Sequence, residues 1–188
     1  MTVQHTDLDD DLGDGVDPEH MTLAQWEMFD SELKHELVEG VLIVSPPETY
    51  LNRRAAMRLA LRLEGIDGVE CTTDTGVTLD AHAPTVRCPD LVVARAGVGD
   101  VTALSAIDIL LVAEVVAPSS RETDWVTKRG AYARAGIGNY LVVDRRRRRL
   151  VLFSEPVDGR YTQQSIGEPV ALVFGEHTVE LTLADLTD

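Results

Sequence analysis

The chain has 188 residues, 44% of them hydrophobic and 26% charged, which suits one soluble globular domain with room for a real core. Its net charge of −15 counts against nonspecific nucleic-acid binding unless the 17 basic residues cluster. No stretch approaches the roughly 20 uncharged apolar residues of a membrane span, and Cys71 and Cys88 form neither a CxxC pair nor a disulfide framework. Free thiols in a reducing cytoplasm follow.

The acid is unevenly spread. Residues 1–20 carry seven of the 32 acids and no Lys or Arg, which leaves 25 acids against 17 bases in the remainder. This segment reads as a disordered leader, and it lacks the basic region and apolar core of a signal peptide. One domain is expected over residues 21–188. Thr22 with Gln25 resembles a capping box, so a short helix is predicted over about 22–30. The stretch HELVEGVLIVSPP reads as two strands turning at Glu39-Gly40. Residues 49–64 have helical spacing, with Leu51, Ala55, Leu59 and Leu63 on one face and Arg54, Arg58 and Arg62 on another.

Residues 69–95 then read as strands interrupted by turns. The run ILLVAEVVA, residues 109–117, is a strand with one glutamate, Glu114, among apolar neighbours. Desolvating that carboxylate costs several kcal/mol unless something compensates. Pro118 stops the strand, and Ser119 with Glu122 predicts a second capped helix over about 120–135, ended by Gly136. Two further strands, Asn139–Asp144 and Leu150–Ser154, flank the run Arg145–Arg149, and the C-terminal part is again strand-like. The element pattern predicts a mixed α/β or α+β domain.

Three residues carry the candidate chemistry. Asp90, in Pro89-Asp90, stands at the mouth of the apolar strand LVVA, and Glu114 sits in the next long strand. Two carboxylates from adjacent strands are what a hard cation such as Mg²⁺ takes, with Mn²⁺ as a possible substitute. Lys128, one of only two lysines with Lys34, shares a helix face with Trp125 and Tyr132 and can reach the strand ends if that face turns to the sheet. A nearby ammonium would orient a water or neutralise developing charge.

A Pro-Asp entering a strand, followed by a strand glutamate, is the half-pattern of the PD-(D/E)xK nuclease superfamily. The longer match is to the Uma-two family of restriction-endonuclease-like proteins. HELVEGVLIVSPP resembles its opening segment, VRCPDLVVA its central one, and AEVVAPSSRETDWVTKRGAYARAGIGNYLVVD its longest motif, over about residues 21–185 in all. The resemblance implies a restriction-endonuclease-like core, a central mixed sheet flanked by helices. It implies Asp90 and Glu114 as ligands of Mg²⁺, Lys128 as a lysine moved from strand to helix, and Glu36 as an upstream acid near the metal. It further implies cleavage of nucleic acid, DNA foremost, and allows a homodimer. One departure concerns the helix after Ser-Pro-Pro, where the family often carries a histidine; ETYLN has none through Asn52.

Ordinary readings stand beside these. Asp90 can be a turn former, Glu114 can lie on an exposed edge, Glu36 can simply end a strand, and Lys128 can pair in solvent with Asp124. Ser119-Ser120 lacks a GxSxG elbow and reads as a helix cap rather than a nucleophile. The Arg145–Arg149 run reads as a solvated loop or, with the helix arginines, as a phosphate contact. The five histidines show no metal-ligand spacing. Two functions compete: a Mg²⁺-dependent nuclease, and a weak or inactive nuclease-fold module that binds or regulates.

Overall fold

The structure, a computed structural model, describes residues 16–30, 33–117 and 123–187. Helix α1 (Leu23–Met28) opens with the capping box: Thr22 Oγ1 accepts from the Gln25 N–H at 3.2 Å, and Gln25 Oε1 accepts from the Thr22 N–H at 2.9 Å. Strands β1 (His35–Val38) and β2 (Val41–Val44) form the hairpin read from the sequence, turning at Glu39 and Gly40 with φ of 52° and 83°. Both turn residues are left-handed, as a two-residue hairpin turn requires. The end of the acidic leader folds onto this hairpin, since Leu42 N–H donates to Pro18 O and Met21 N–H to Gly40 O, each at 2.7 Å. Residues 1–15 lie outside the described residues. So does the Ser119/Glu122 capping box.

Helix α2 (Tyr50–Leu63) follows, then β3 (Val69–Thr72), β4 (Gly76–Asp80), β5 (Thr85–Arg87), β6 (Leu91–Arg95) and β7 (Ala103–Ser105). The glutamate strand is β8 (Ile109–Val115); a π-helical turn over Thr123–Lys128 then leads into α3 (Arg129–Arg134). The chain continues through β9 (Asn139–Asp144), β10 (Arg149–Val157), β11 (Arg160–Gly167), β12 (Val170–Phe174), β13 (His177–Leu181) and α4 (Leu183–Thr187).

The strands make a six-stranded sheet, β11-β10-β9-β8-β6-β3, a five-stranded sheet, β2-β1-β5-β4-β7, and the β12-β13 pair. The six-stranded sheet is mixed, because β8 and β9 run parallel while its other pairs are antiparallel. This is the mixed α/β architecture the sequence predicts. Strand alternation sorts the central residues onto two faces. Leu91, Val93, Leu111, Ala113 and Val115 pack with Ala55, Leu59 and Leu63 of α2. Val92, Val112, Tyr140 and Val142 pack on the other face with Tyr132 of α3. Each fully buried leucine here contributes roughly 1.5–3 kcal/mol.

Two expectations about faces need correction. In α2 the inward face is Asn52, Ala55, Ala56, Leu59 and Leu63, whereas Leu51 is 48% exposed. The reason is polar: Asn52 turns in and its Nδ2 donates to Val115 O at 3.2 Å, supplying a donor for a buried carbonyl. In the segment carrying Lys128, the buried residues are Asp124, Lys128 and Tyr132 rather than Trp125. The π turn holds more residues per turn than an α-helix and shifts the phase. Trp125 sits half-buried instead, edge-on to Phe153, with the Arg149 guanidinium 4.6 Å over its ring.

A candidate active site between two sheets

Glu114 shares its alternation with Val112 and Val116, so it points to the face covered by α3. It is only 3% exposed, on a central strand with β6 on one side and β9 on the other, which removes the edge-strand explanation. Two donors meet its Oε1: Lys128 Nζ at 2.8 Å and Tyr132 Oη at 2.9 Å. Lys128 therefore turns back to the sheet. Its ammonium also lies 3.3 Å from Glu36 Oε1 and 3.7 Å from Asp124 Oδ1, and it is buried, so a solvent pair with Asp124 alone does not describe it. Tyr140 Oη donates to Asp124 O at 2.9 Å and ties this turn to β9.

Glu36 comes from the other sheet, in β1. Its Oε2 accepts from Arg87 Nη1 at 2.8 Å, and its Oε1 accepts from the Cys88 N–H at 3.1 Å. Lys128 thus bridges a carboxylate of each sheet. Burial would raise the Glu36 carboxyl, but Lys128 and Arg87 outweigh it and hold it down at about 2.

Asp90 immediately precedes β6. The β6–β8 register pairs Leu91 with Ala113, so one further step sets Asp90 opposite Glu114. Asp90 Oδ2 accepts from the Val115 N–H at 2.8 Å, while Oδ1 accepts from Lys34 Nζ at 2.8 Å. Lys34 is held where it is because Ser45 N–H donates to its carbonyl at 2.8 Å, extending the β1–β2 hairpin. Burial disfavours its ammonium, yet Asp90 and Glu114 overcome this and hold Lys34 protonated. Both lysines of the chain therefore stand in one cluster. The sequence reading passed over Lys34 and Arg87, and only the scarcity of lysine pointed to the first.

Among the described residues the cluster holds the carboxylates of Glu36, Asp90, Glu114 and Asp124 and the cations of Lys34, Arg87 and Lys128. The carboxyl of Glu114 is raised by this setting. Burial pushes its carboxyl up to about 8; Lys128 pulls it down, and the charges of Asp90 and Asp124 push it back up. Among the described residues no three His, Cys, Asp or Glu side chains converge as a ready metal cage. A hard divalent ion does not need one, because Mg²⁺ is commonly held by one or two carboxylates and waters. Two carboxylate donors on adjacent strands suit such an ion.

Access is through Lys34 and Asp90. Lys34 lines a cleft of about 370 Å³ with Trp26, His35 and Cys88. Asp90 lines one of about 480 Å³ with Thr72 and Met57. Glu48, Arg53 and Asp74 border both.

Residues 21–186 match the model of the Uma2 family, described as "Putative restriction endonuclease". The chain belongs to this family. No curated protein matches the sequence. Among solved structures, one titled as a "putative nuclease belonging to DUF820", from Anabaena variabilis, superposes with a TM-score of 0.71 at 12% identity, covering 89% of this chain and 97% of its own. At that identity the likeness speaks for the fold, and the fold of this Uma2 member is that of the nuclease-like structure. Among the described residues no helix is long and apolar enough to cross a membrane.

Proposed function

We propose that this Uma2 protein is a Mg²⁺-dependent nuclease that hydrolyses phosphodiester bonds of nucleic acid, DNA foremost. The observation that carries this reading is the buried cluster in which Asp90, one register step before Leu91 and so opposite Glu114, receives the Lys34 ammonium while Glu114 receives that of Lys128. Asp90 and Glu114 would hold the ion, which when bound supplies an activated water and a counter-charge for the phosphoryl group. Lys128 locks the Glu114 and Glu36 carboxylates in place through contacts of 2.8 and 3.3 Å. Glu36, itself fixed by Arg87, keeps the Lys128 ammonium at the strand ends. Lys34 is the less enclosed of the two lysines and lines the cleft, so its ammonium is the one placed to meet a substrate phosphate. A homodimer, which would bring two such sites to opposite strands, belongs to the same reading.

Purified protein is expected to nick or cut DNA with Mg²⁺ or Mn²⁺. Asp90→Ala and Glu114→Ala should each lower the rate by at least about a hundredfold, the scale of losing a key electrostatic group. Equal cleavage by wild type and both variants would mean a contaminant and end the proposal.

A second reading, a nuclease-fold module that binds or regulates without cutting, draws on one observation. Each candidate ligand already carries an ammonium at 2.8 Å, Asp90 that of Lys34 and Glu114 that of Lys128. Calorimetry separates the two. Mn²⁺ binding that disappears in Glu114→Ala favours the nuclease, and no binding up to about millimolar Mn²⁺ favours the module.

A further inference from the structure

Nine of the 17 basic residues lie in two places: Arg53, Arg54, Arg58 and Arg62 on α2, and Arg145–Arg149 across the turn from β9 into the first residue of β10. In an acidic chain this is a marked segregation of charge. The two places meet beside the centre. Arg145 Nη1 donates to Asn52 Oδ1 at 2.8 Å, while Asn52 Nδ2 donates to the carbonyl of Val115, next in sequence to Glu114, and to Glu48 Oε2 at 2.9 Å. One buried asparagine thus pins the arginine turn to the glutamate strand.

The turn itself is braced from within. Asp144 Oδ1 accepts from the Arg147 N–H at 3.0 Å, Arg148 takes a left-handed φ of 49°, and Arg149 is spent on the Trp125 ring. Between these anchors the side chains of Arg146, Arg147 and Arg148 are exposed. None of them has a carboxylate of the described residues within ion-pair distance. Arg145 and Arg146 form one wall of a groove of about 430 Å³, with Val116 lining it and the start of α2 opposite. On that opposite wall Tyr50 is 75% and Leu51 48% exposed.

We propose that this groove and the arginine turn bind a strand of the nucleic-acid substrate: the guanidiniums take backbone phosphates, and the Tyr50 ring stacks on a base. Guanidiniums in a fixed turn match phosphate oxygens, and an exposed ring beside them serves any base. The inference rests on the nuclease reading, which gives the groove its meaning beside Glu114.

The test is fluorescence anisotropy of a fluorescein-labelled DNA oligonucleotide with the full chain in EDTA, so that binding is read without cleavage. Charge reversal at Arg146, Arg147 and Arg148 together should weaken binding at least tenfold. It should also lower the slope of log Kd against log salt by about two, since each phosphate contact carries roughly 0.7–0.9. Tyr50→Ala should weaken single-stranded binding with the slope unchanged. A matched triple reversal at Arg95, Arg134 and Arg160, exposed on other elements, should do little. Wild-type-like binding by the arginine variant, an equal loss in the matched control, or no binding by the wild type each overturns the groove assignment. The nuclease reading fails on a different result: arginine-dependent binding by a wild type that cuts nothing when Mg²⁺ is added. That outcome would leave the groove standing.

Discussion

Lys128→Met should destabilise the protein by about 3–5 kcal/mol at neutral pH, the scale of breaking a buried ion pair from one side. Domains of this kind have only about 5–15 kcal/mol in hand, so a large share of the margin would go. The cause is specific. Methionine fills the volume but leaves Glu36, Glu114 and Asp124 facing one another without the ammonium that lies 2.8–3.7 Å from each. The loss should shrink on acidification, because the carboxyls so exposed to one another take up protons more readily in the folded state. Urea unfolding at about pH 7.5 and about pH 5.5 reads this directly. An equal loss at both pH values would show that Lys128 matters for packing and not for charge.

The second large effect concerns Glu114 itself. Its folded carboxyl is pushed up to about 8 from an ordinary 4.5, chiefly by burial. Between those values the folded state keeps a proton that the unfolded state has lost, so wild-type stability should fall as pH rises through this window and level off above it. The whole fall is on the order of a few kcal/mol. Glu36 works in the opposite sense: held at about 2, it contributes stability present above its ordinary value of 4.5 and lost as pH drops through 2. Glu114→Gln should remove this decline, making the variant more stable than wild type near pH 8, while cleavage is lost. Denaturation midpoints at about pH 6 and about pH 9 decide it. A variant that still declines with rising pH would assign the proton to another group.

The sequence made the local elements legible where pattern and turn chemistry agreed. Glu39-Gly40 marks its hairpin unambiguously, Thr22 and Gln25 mark the start of α1, and the apolar run around Glu114 is the central strand. The short strands β5 and β7, three residues each, carry too little pattern to be seen, and α4 is only five residues long. Faces were harder than elements. Asn52 displaced Leu51 because a buried carbonyl needed a donor, and a π turn replaced Trp125 by Asp124.

The candidate site divides along similar lines. Asp90, Glu114, Lys128 and Glu36 lie in one cluster, with Lys128 in direct contact with Glu36 and Glu114. Lys34 and Arg87 went unnoticed because their partners lie 56 and 51 residues away, in a register no local signal encodes. The compensating partner for the buried glutamate proves to be a network across two sheets rather than one residue.

That both lysines stand in this network bears on how the protein can be handled. Apart from its α-amino group, the chain offers acylating reagents two primary amines, Lys34 in a cleft wall and Lys128 buried behind it. Amine chemistry that is scattered over the surface of most proteins is confined here to the candidate centre. Coupling to a bead or dye through lysine would therefore modify the pocket itself, and Cys71 offers no way round it, because its half-buried thiol lines the Asp90 cleft.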